Sequence, residues 1–117
     1  MVTVVVADDE ARVRQLVRMT LGGADRRLVE VADGDAALTA ICEHRPAVAI
    51  LDVVMPGLSG LEVCCRVRAD PALVGTRVII SSGNATEAEA LDAGADAFLP
   101  KPFLPSRMRD AVDGLAV

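Results

Sequence analysis

A small set of polar residues interrupts an otherwise apolar sequence and could carry chemistry. The set comprises three consecutive acids, one isolated acid, a serine and the only lysine of the chain: Asp8, Asp9, Glu10, Asp52, Ser82 and Lys101. Carboxylates that cluster repel one another and raise one another's pKa unless a cation neutralises them. Oxygen ligands of this kind suit a hard divalent cation, and Mg²⁺ is the expected cofactor.

An aspartate beside Mg²⁺, a lysine and a serine could attack phosphorus and form an aspartyl phosphate. Phosphoryl transfer needs little beyond such positioning and charge neutralisation. Asp52 is the candidate nucleophile because it follows the apolar run 47–51 and precedes Val53, so it is not expected to be an incidental surface charge. For the acids at 8–10 a second interpretation stays open, because acids at a helix N-terminus also stabilise the helix dipole.

These residues need elements that bring them together, and the sequence predicts five strand–helix units. Apolar runs predict strands at 2–7, 28–31, 47–51, 77–81 and 96–100. Helices are predicted between them from apolar stripes, from capping boxes that begin at Ser59 and Thr86, and from glycine or proline stops. Strict alternation predicts an α/β fold with a parallel sheet, whose carboxyl-terminal edge carries the functional site.

The composition excludes several classes of protein. The 117 residues are enough for a single domain, 1–117, and 52% of them are hydrophobic, which excludes a disordered chain. The net charge of −5 argues against direct nucleic-acid binding. No apolar run approaches the roughly 18 residues of a membrane span, and the N-terminus lacks signal-peptide features, so a cytoplasmic location without membrane contact is expected.

Other kinds of reactive site find little support in the sequence. The three cysteines, Cys42, Cys64 and Cys65, lack disulfide or zinc spacing and are expected to be buried or half-buried thiols. The only histidine, His44, precedes Arg45 and Pro46 at a predicted helix end, where a solvated structural role is expected. No glycine-rich phosphate loop is present, so a bound nucleotide is not favoured.

The ordered set of motifs resembles the receiver domains of two-component response regulators. The motifs are Asp8-Asp9-Glu10 after the first strand, LDVVMPGLSG at 51–60 after the third, Ser82-Gly83 after the fourth and Lys101-Pro102-Phe103 after the fifth. The resemblance covers essentially the whole chain. It implies a flavodoxin-like (βα)5 three-layer sandwich with strand order 2-1-3-4-5.

The resemblance also implies roles for the acids. Asp52 would be the acceptor that takes a phosphoryl group from a histidine kinase or a phosphotransfer protein. Asp9 and Asp52 would bind Mg²⁺ directly, the backbone carbonyl of Val54 would supply a further ligand, and Asp8 would act through water.

The remaining family positions would form a switch. Lys101 would contact the phosphoryl group, and its bond to Pro102 would be cis. Ser82, chosen over Ser81 for its distance from the acceptor and the small residue after it, would swing to bind phosphate. Phe98 would be the switch aromatic, although plain core packing is the alternative for that residue.

Two departures from the family pattern concern regulation. The segment between Ser82 and Lys101 is a few residues shorter than expected, so the loop into the fourth helix or its first turn is expected to be trimmed. The positions that tune phosphoryl lifetime in this family hold Val54 and Asn84. Val54 cannot orient an attacking water, so tuning is expected to depend on Asn84 or on a partner.

The predicted function is therefore that of a regulatory domain in a phosphorelay, with intrinsic autophosphorylation and autodephosphorylation only. Phosphorylation would switch the surface of the fourth helix, fifth strand and fifth helix, which would act on a downstream effector protein or on an output domain outside this sequence. Two alternatives are a degenerate receiver that acts as a phosphorylation-independent interaction module and an Mg²⁺-dependent phosphohydrolase. The phosphohydrolase would need a second acid where Val54 stands.

Overall fold

The computed structural model describes residues 2–23 and 25–116, and it alternates strands with helices along the chain. The elements are β1 (Val2–Ala7), α1 (Ala11–Leu21), β2 (Arg26–Val31), α2 (Gly34–His44), β3 (Val48–Asp52), α3 (Gly60–Ala69), a 3₁₀ turn (Pro71–Leu73), β4 (Arg77–Ser82), α4 (Glu87–Asp92), β5 (Ala97–Pro100) and α5 (Pro105–Leu115).

The five strands form one parallel sheet in the order β2-β1-β3-β4-β5, which confirms the predicted topology. Helices cover both faces, and all five residues of the central strand β3 are buried in consequence. The switch in strand order lies between β1 and β3, and ligands bind beyond the carboxyl ends of the strands at such a point.

Side chains alternate between two faces of the sheet and form two separate cores. One core, which we call the α1/α5 face, contains Ile50 of β3, Ile79 of β4 and Met108 of α5. The other, the α2/α3/α4 face, contains Leu51 of β3 and Ile80 of β4. The face on which a side chain lies can therefore be read from its position along the strand.

The ends of the helices follow the local sequence. Both predicted capping boxes are present, with Ser59 at the start of α3 and Thr86 at the start of α4. The short segment between β4 and β5 accommodates an α4 of six residues, which is followed by Gly94 with φ of 100°. Pro71 opens a 3₁₀ turn that the apolar periodicity did not predict, because three residues are too few to show a helical period.

The cysteine prediction was right for one residue and wrong for two. Cys64 lies on the buried face of α3, and burial raises the pKa of its thiol to about 11. Cys42 and Cys65 are exposed, because the buried faces of α2 and α3 are occupied by their neighbours Ile41 and Cys64. None of the described helices is long and apolar enough to cross a membrane.

Candidate functional site

The carboxyl-terminal edge of the sheet contains a polar cleft of about 340 Å³. It is lined by residues that follow β1, β3, β4 and β5: Asp9, Glu10, Asp52, Val54, Ser82, Gly83, Asn84 and Lys101. The sequence-predicted residues Asp9, Asp52, Val54, Ser82 and Lys101 are thus brought together here. The cleft has acids on one side and one cation, Lys101, among its described lining residues.

Asp52 is the last residue of β3 and lies at the floor of the cleft. It is only 7% exposed. Burial raises the pKa of its carboxyl group, and the negative charge of Asp8 raises it further, while Lys101 lowers it. The ionised form of Asp52 is therefore held at an energetic cost, which a second cation or a covalent modification would relieve.

Lys101 connects the acids from the far side of the cleft. Its Nζ atom lies 2.7 Å from Oδ2 of Asp8 and 3.4 Å from Oδ1 of Asp52. Burial disfavours the ammonium ion, but the hydrogen bond and charge of Asp8, together with Asp52, outweigh burial and raise the pKa of Lys101. Its backbone N–H donates to the carbonyl of Ser82 at 2.9 Å, and the bond to Pro102 is cis, as expected.

The acidic turn after β1 gathers three carboxylates. Oxygens of Asp8, Asp9 and Glu10 lie within 4.8 Å of one another. Asp8 is buried, and its second oxygen, Oδ1, accepts the backbone N–H of Glu10 at 2.9 Å. Both oxygens of Asp8 are engaged, whereas Asp9 is exposed and lines the cleft together with Asp52. Carboxylate oxygens of this kind fit a hard divalent cation.

Glu10 was expected at this edge of the sheet without a specific role, and Arg14 was not expected there. The carboxylate of Glu10 joins the acidic cluster, which its place after Asp8 and Asp9 could have indicated. Arg14 reaches back from α1 and donates to the backbone carbonyl of Asp8 at 2.6 Å, so it fixes the turn that presents the acids. A hydrogen bond from a side chain to a backbone carbonyl cannot be predicted from a sequence pattern.

Two glycines fix the loop between β3 and α3. The N–H of Gly60 donates to the carbonyl of Val53 at 3.1 Å. A Cβ atom on Gly60 would lie 2.1 Å from the Asp52 carbonyl oxygen, so only glycine fits. From α2, the N–H of Gly34 donates to the carbonyl of Pro56 at 3.0 Å. The loop that carries Val54 is therefore braced from both sides, and the Val54 side chain is 61% exposed at the cleft.

The two predicted switch residues lie in different surroundings. Ser82 is buried at the end of β4, and its hydroxyl oxygen accepts the N–H groups of Asn84 at 3.1 Å and Ala85 at 3.0 Å. Phe98 lies outside the cleft, half-buried against the α2/α3/α4 face. The structure thus places Ser82 at the site and Phe98 behind it.

Known proteins resemble this chain in sequence. The sequence profile of the response regulator receiver domain family matches residues 4–113. The response regulator MprA of Mycobacterium sp. (strain KMS) is 40% identical over 113 residues, which cover 92% of this chain and 49% of that protein. The DNA-binding response regulator MtrA of Mycobacterium tuberculosis is 31% identical over 105 residues, which cover 90% of this chain and 46% of that protein.

Solved structures agree with these relatives. The chemotaxis protein CheY4 of Vibrio cholerae superposes with a TM-score of 0.87 at 30% identity, covering 98% of both chains. The receiver domain of the Francisella response regulator 1452 superposes with a TM-score of 0.89 at 28% identity, covering 99% of this chain and 97% of that one. The chain spans about half the length of the curated relatives it matches. It belongs to the response regulator receiver domain family of two-component systems.

Proposed function

We propose that Asp52 accepts a phosphoryl group from the phosphohistidine of a histidine kinase or phosphotransfer protein. The observation that carries the proposal is the setting of Asp52: a buried carboxyl group at the floor of a cleft, 3.4 Å from the only described cation that lines it. No other described carboxylate combines burial, a strand end and access to the cleft.

The proposed reaction is an in-line displacement at phosphorus. An oxygen of Asp52 forms a bond to phosphorus, the phosphorus–nitrogen bond of the donor breaks, and its electron pair returns to the donor imidazole. The ammonium group of Lys101 then neutralises a phosphoryl oxygen, and it can do so with little movement because it already contacts Asp52.

Mg²⁺ would be held by Asp9, Asp52 and the backbone carbonyl of Val54, with Asp8 acting through water. When bound, it would neutralise negative charge on the carboxylate and phosphoryl oxygens. The setting of Asp52 supports this assignment, because burial and the negative charges of Asp8 and Asp9 raise the pKa of its carboxyl group, and a bound cation would offset them. Arg14 contributes by holding the backbone of the acidic turn.

The proposed switch begins at Ser82. Its hydroxyl oxygen is now engaged by two amides of the β4–α4 loop, so binding a phosphoryl oxygen requires the hydroxyl to turn and the loop to adjust. Phe98 would move inward in response, and the surface of α4, β5 and α5 would change its affinity for a partner.

The proposed phosphorylation of Asp52 and the switch that follows it give the domain a regulatory rather than a metabolic role. Its own chemistry would be limited to autophosphorylation from small phosphodonors and autodephosphorylation. The partners would be a cytoplasmic kinase or phosphotransfer protein and either an effector or an output domain, with no direct nucleic-acid contact by residues 1–117. A phosphohydrolase is not supported, since Val54 supplies no acid two residues after Asp52.

Intact-mass spectrometry after incubation with acetyl phosphate and Mg²⁺ tests the proposal. The wild type should gain one phosphoryl group, the Asp52→Asn variant none, and the control Asp110→Asn, which changes an exposed acid of α5, should behave as the wild type. An adduct that persists in Asp52→Asn, or that never forms in the wild type, would contradict the proposal.

A further inference from the structure

Two adjacent serines end β4, and their hydroxyl groups are in opposite situations. The hydroxyl oxygen of Ser82 accepts two backbone N–H groups. Ser81 is 2% exposed, and its Oγ is the one buried side-chain polar atom without a hydrogen-bond partner in residues 2–23 and 25–116. Buried polar groups are nearly always paired, so an orphaned hydroxyl calls for a physical explanation.

The position of Ser81 in the sheet puts it beside the acceptor. Ser81 is the register partner of Asp52 across β3 and β4. Two residues before each of them, Ile79 and Ile50 belong to the α1/α5 face, so strand alternation places the side chains of Ser81 and Asp52 on that same face. Neighbouring strands lie about 4.8 Å apart, so a rotation of the serine brings its hydroxyl within reach of the carboxyl group.

The proposed movement of Lys101 changes what surrounds the Asp52 carboxyl group. In the unphosphorylated protein, Nζ of Lys101 lies 3.4 Å from Oδ1 of Asp52 and supplies positive charge to that carboxyl group. Under the proposed function, Lys101 turns to the phosphoryl group. The carboxyl oxygen of Asp52 that is not bonded to phosphorus then loses the charge of Lys101. Mg²⁺ would bind this oxygen through one lone pair, and the Ser81 hydroxyl, which has no hydrogen-bond partner among the described residues, can donate to the other.

We propose that Ser81 donates a hydrogen bond to the free carboxyl oxygen of phosphorylated Asp52 and thereby shortens the lifetime of the phosphoryl group. The inference rests on the proposed function of Asp52. It assigns hydrolysis, rather than phosphate binding, to the second serine of the pair.

The effect follows from the bonds that change in hydrolysis. The oxygen of water bonds to phosphorus, the bond from phosphorus to the Asp52 oxygen breaks, and its electron pair returns to the Asp52 carboxylate, while the proton of water leaves with the phosphate. Negative charge therefore develops on the carboxylate. A donor aimed at its other oxygen stabilises that charge in the transition state more than in the neutral acyl group.

A pair of variants with the same shape isolates the hydroxyl. Ser81→Thr keeps the hydroxyl and Ser81→Val replaces it with a methyl group, so the two variants impose nearly the same crowding. Each is loaded with acetyl phosphate and Mg²⁺, the donor is removed, and the decay of the phosphoryl adduct is followed by intact mass. We expect a half-life about 2- to 10-fold longer in Ser81→Val than in Ser81→Thr, the effect of one ordinary hydrogen bond.

A second comparison applies if the Ser81→Thr and Ser81→Val proteins do not fold. Ser81→Ala removes the hydroxyl without adding volume, and its half-life should exceed that of the wild type by a similar factor. Ser106→Ala, on the exposed surface of α5, serves as the control and should decay like the wild type. Urea unfolding of each variant reports whether the compared proteins are folded.

The outcomes distinguish the inference from the function on which it rests. Equal half-lives in both comparisons would overturn the role of Ser81 and leave phosphorylation of Asp52 intact. A shorter half-life in the variants without the hydroxyl would also overturn it, because the donor would then be protecting the adduct. Absence of any adduct from the wild type would overturn both proposals.

Discussion

Both edges of the sheet contain charged residues, but the charges are balanced by partners at only one of them. At the amino-terminal edge of β4 and β5, Arg68 donates to the carbonyls of Gly94 at 2.9 Å and Thr76 at 2.7 Å and to Asp96 at 2.8 Å. The same Asp96 oxygen also accepts the N–H of Val78 at 2.8 Å. Charge and hydrogen bonding are balanced within this network.

At the carboxyl-terminal edge the balance is missing. Asp8, Asp9, Glu10 and Asp52 face a single described lining cation, Lys101, and the pKa of Asp52 is raised by burial and by Asp8. The amino-terminal edge therefore stabilises the fold, whereas the carboxyl-terminal edge carries excess negative charge for ligands to neutralise.

The largest effect is expected at the amino-terminal edge. Arg68→Ala removes three hydrogen bonds from a half-buried guanidinium group and leaves Asp96 without its closest cation, so the free energy of unfolding should fall by about 3 kcal/mol. Urea unfolding measures the change. Arg66→Ala, on the exposed side of the same helix, is the control and should change stability by less than about 0.5 kcal/mol. A loss for Arg68→Ala no larger than that of the control would contradict a stabilising role for the amino-terminal edge.

A change of opposite sign is expected at the carboxyl-terminal edge. Without Mg²⁺, Asp52→Asn should be more stable than the wild type at pH 7 by about 1 kcal/mol, because it removes a buried charge that repels its neighbours. Urea unfolding in EDTA measures the difference. A destabilised Asp52→Asn at pH 7 would show that the acid is already satisfied.

The difference in stability between Asp52→Asn and the wild type should depend on pH. Since the folded state raises the pKa of Asp52 above 3.8, folded protein holds the proton where unfolded protein has lost it. Ionisation of Asp52 therefore lowers stability as pH rises from 3.8 through the folded pKa, and the cost is complete above that point. The advantage of Asp52→Asn should shrink as pH falls and vanish below 3.8. An advantage that does not change with pH would assign it to another cause.

The smallest effect concerns the exposed residue at the mouth of the cleft. Val54→Asn places an amide where it can orient water toward the phosphoryl group, so the half-life of phosphorylated protein should shorten by about 2- to 10-fold, the contribution of one hydrogen bond. Decay of the adduct by intact mass measures it. Val74→Asn, an exposed valine far along the chain, is the matched control. Equal half-lives for wild type and Val54→Asn would remove the argument that tuning depends on Asn84 or on a partner.

Much of this site could be predicted from sequence because strand ends are local signals. The buried run before Asp52 identifies a central strand, and parallel topology then brings Asp9, Ser82 and Lys101 to the same edge. What sequence did not indicate are contacts decided by tertiary packing. Arg14 and Arg68 both donate to backbone carbonyls, and no pattern distinguishes such arginines from solvated ones.

The roles of Ser81 and Ser82 also depend on tertiary packing, so the sequence indicated them only in part. Sequence distance favoured Ser82 over Ser81, and the structure places Ser82 at the cleft. The sequence could not indicate that Ser81 is buried with an unpaired hydroxyl in register with Asp52, because this depends on which face of the sheet each residue occupies. The role of Phe98 also stays a prediction, since its packing against the α2/α3/α4 face is compatible with core and switch alike.

The most direct test of the difference between the two edges is the gain in stability on adding Mg²⁺. A ligand that binds only the folded state raises the free energy of unfolding by RT ln(1 + [L]/Kd), and urea titrations with and without Mg²⁺ measure that gain. We predict equal gains for the wild type and Arg68→Ala, although Arg68→Ala starts from a lower stability, and loss of most of the gain in Asp52→Asn. Equal gains in all three proteins would contradict this difference between the edges, because Mg²⁺ would then bind without Asp52.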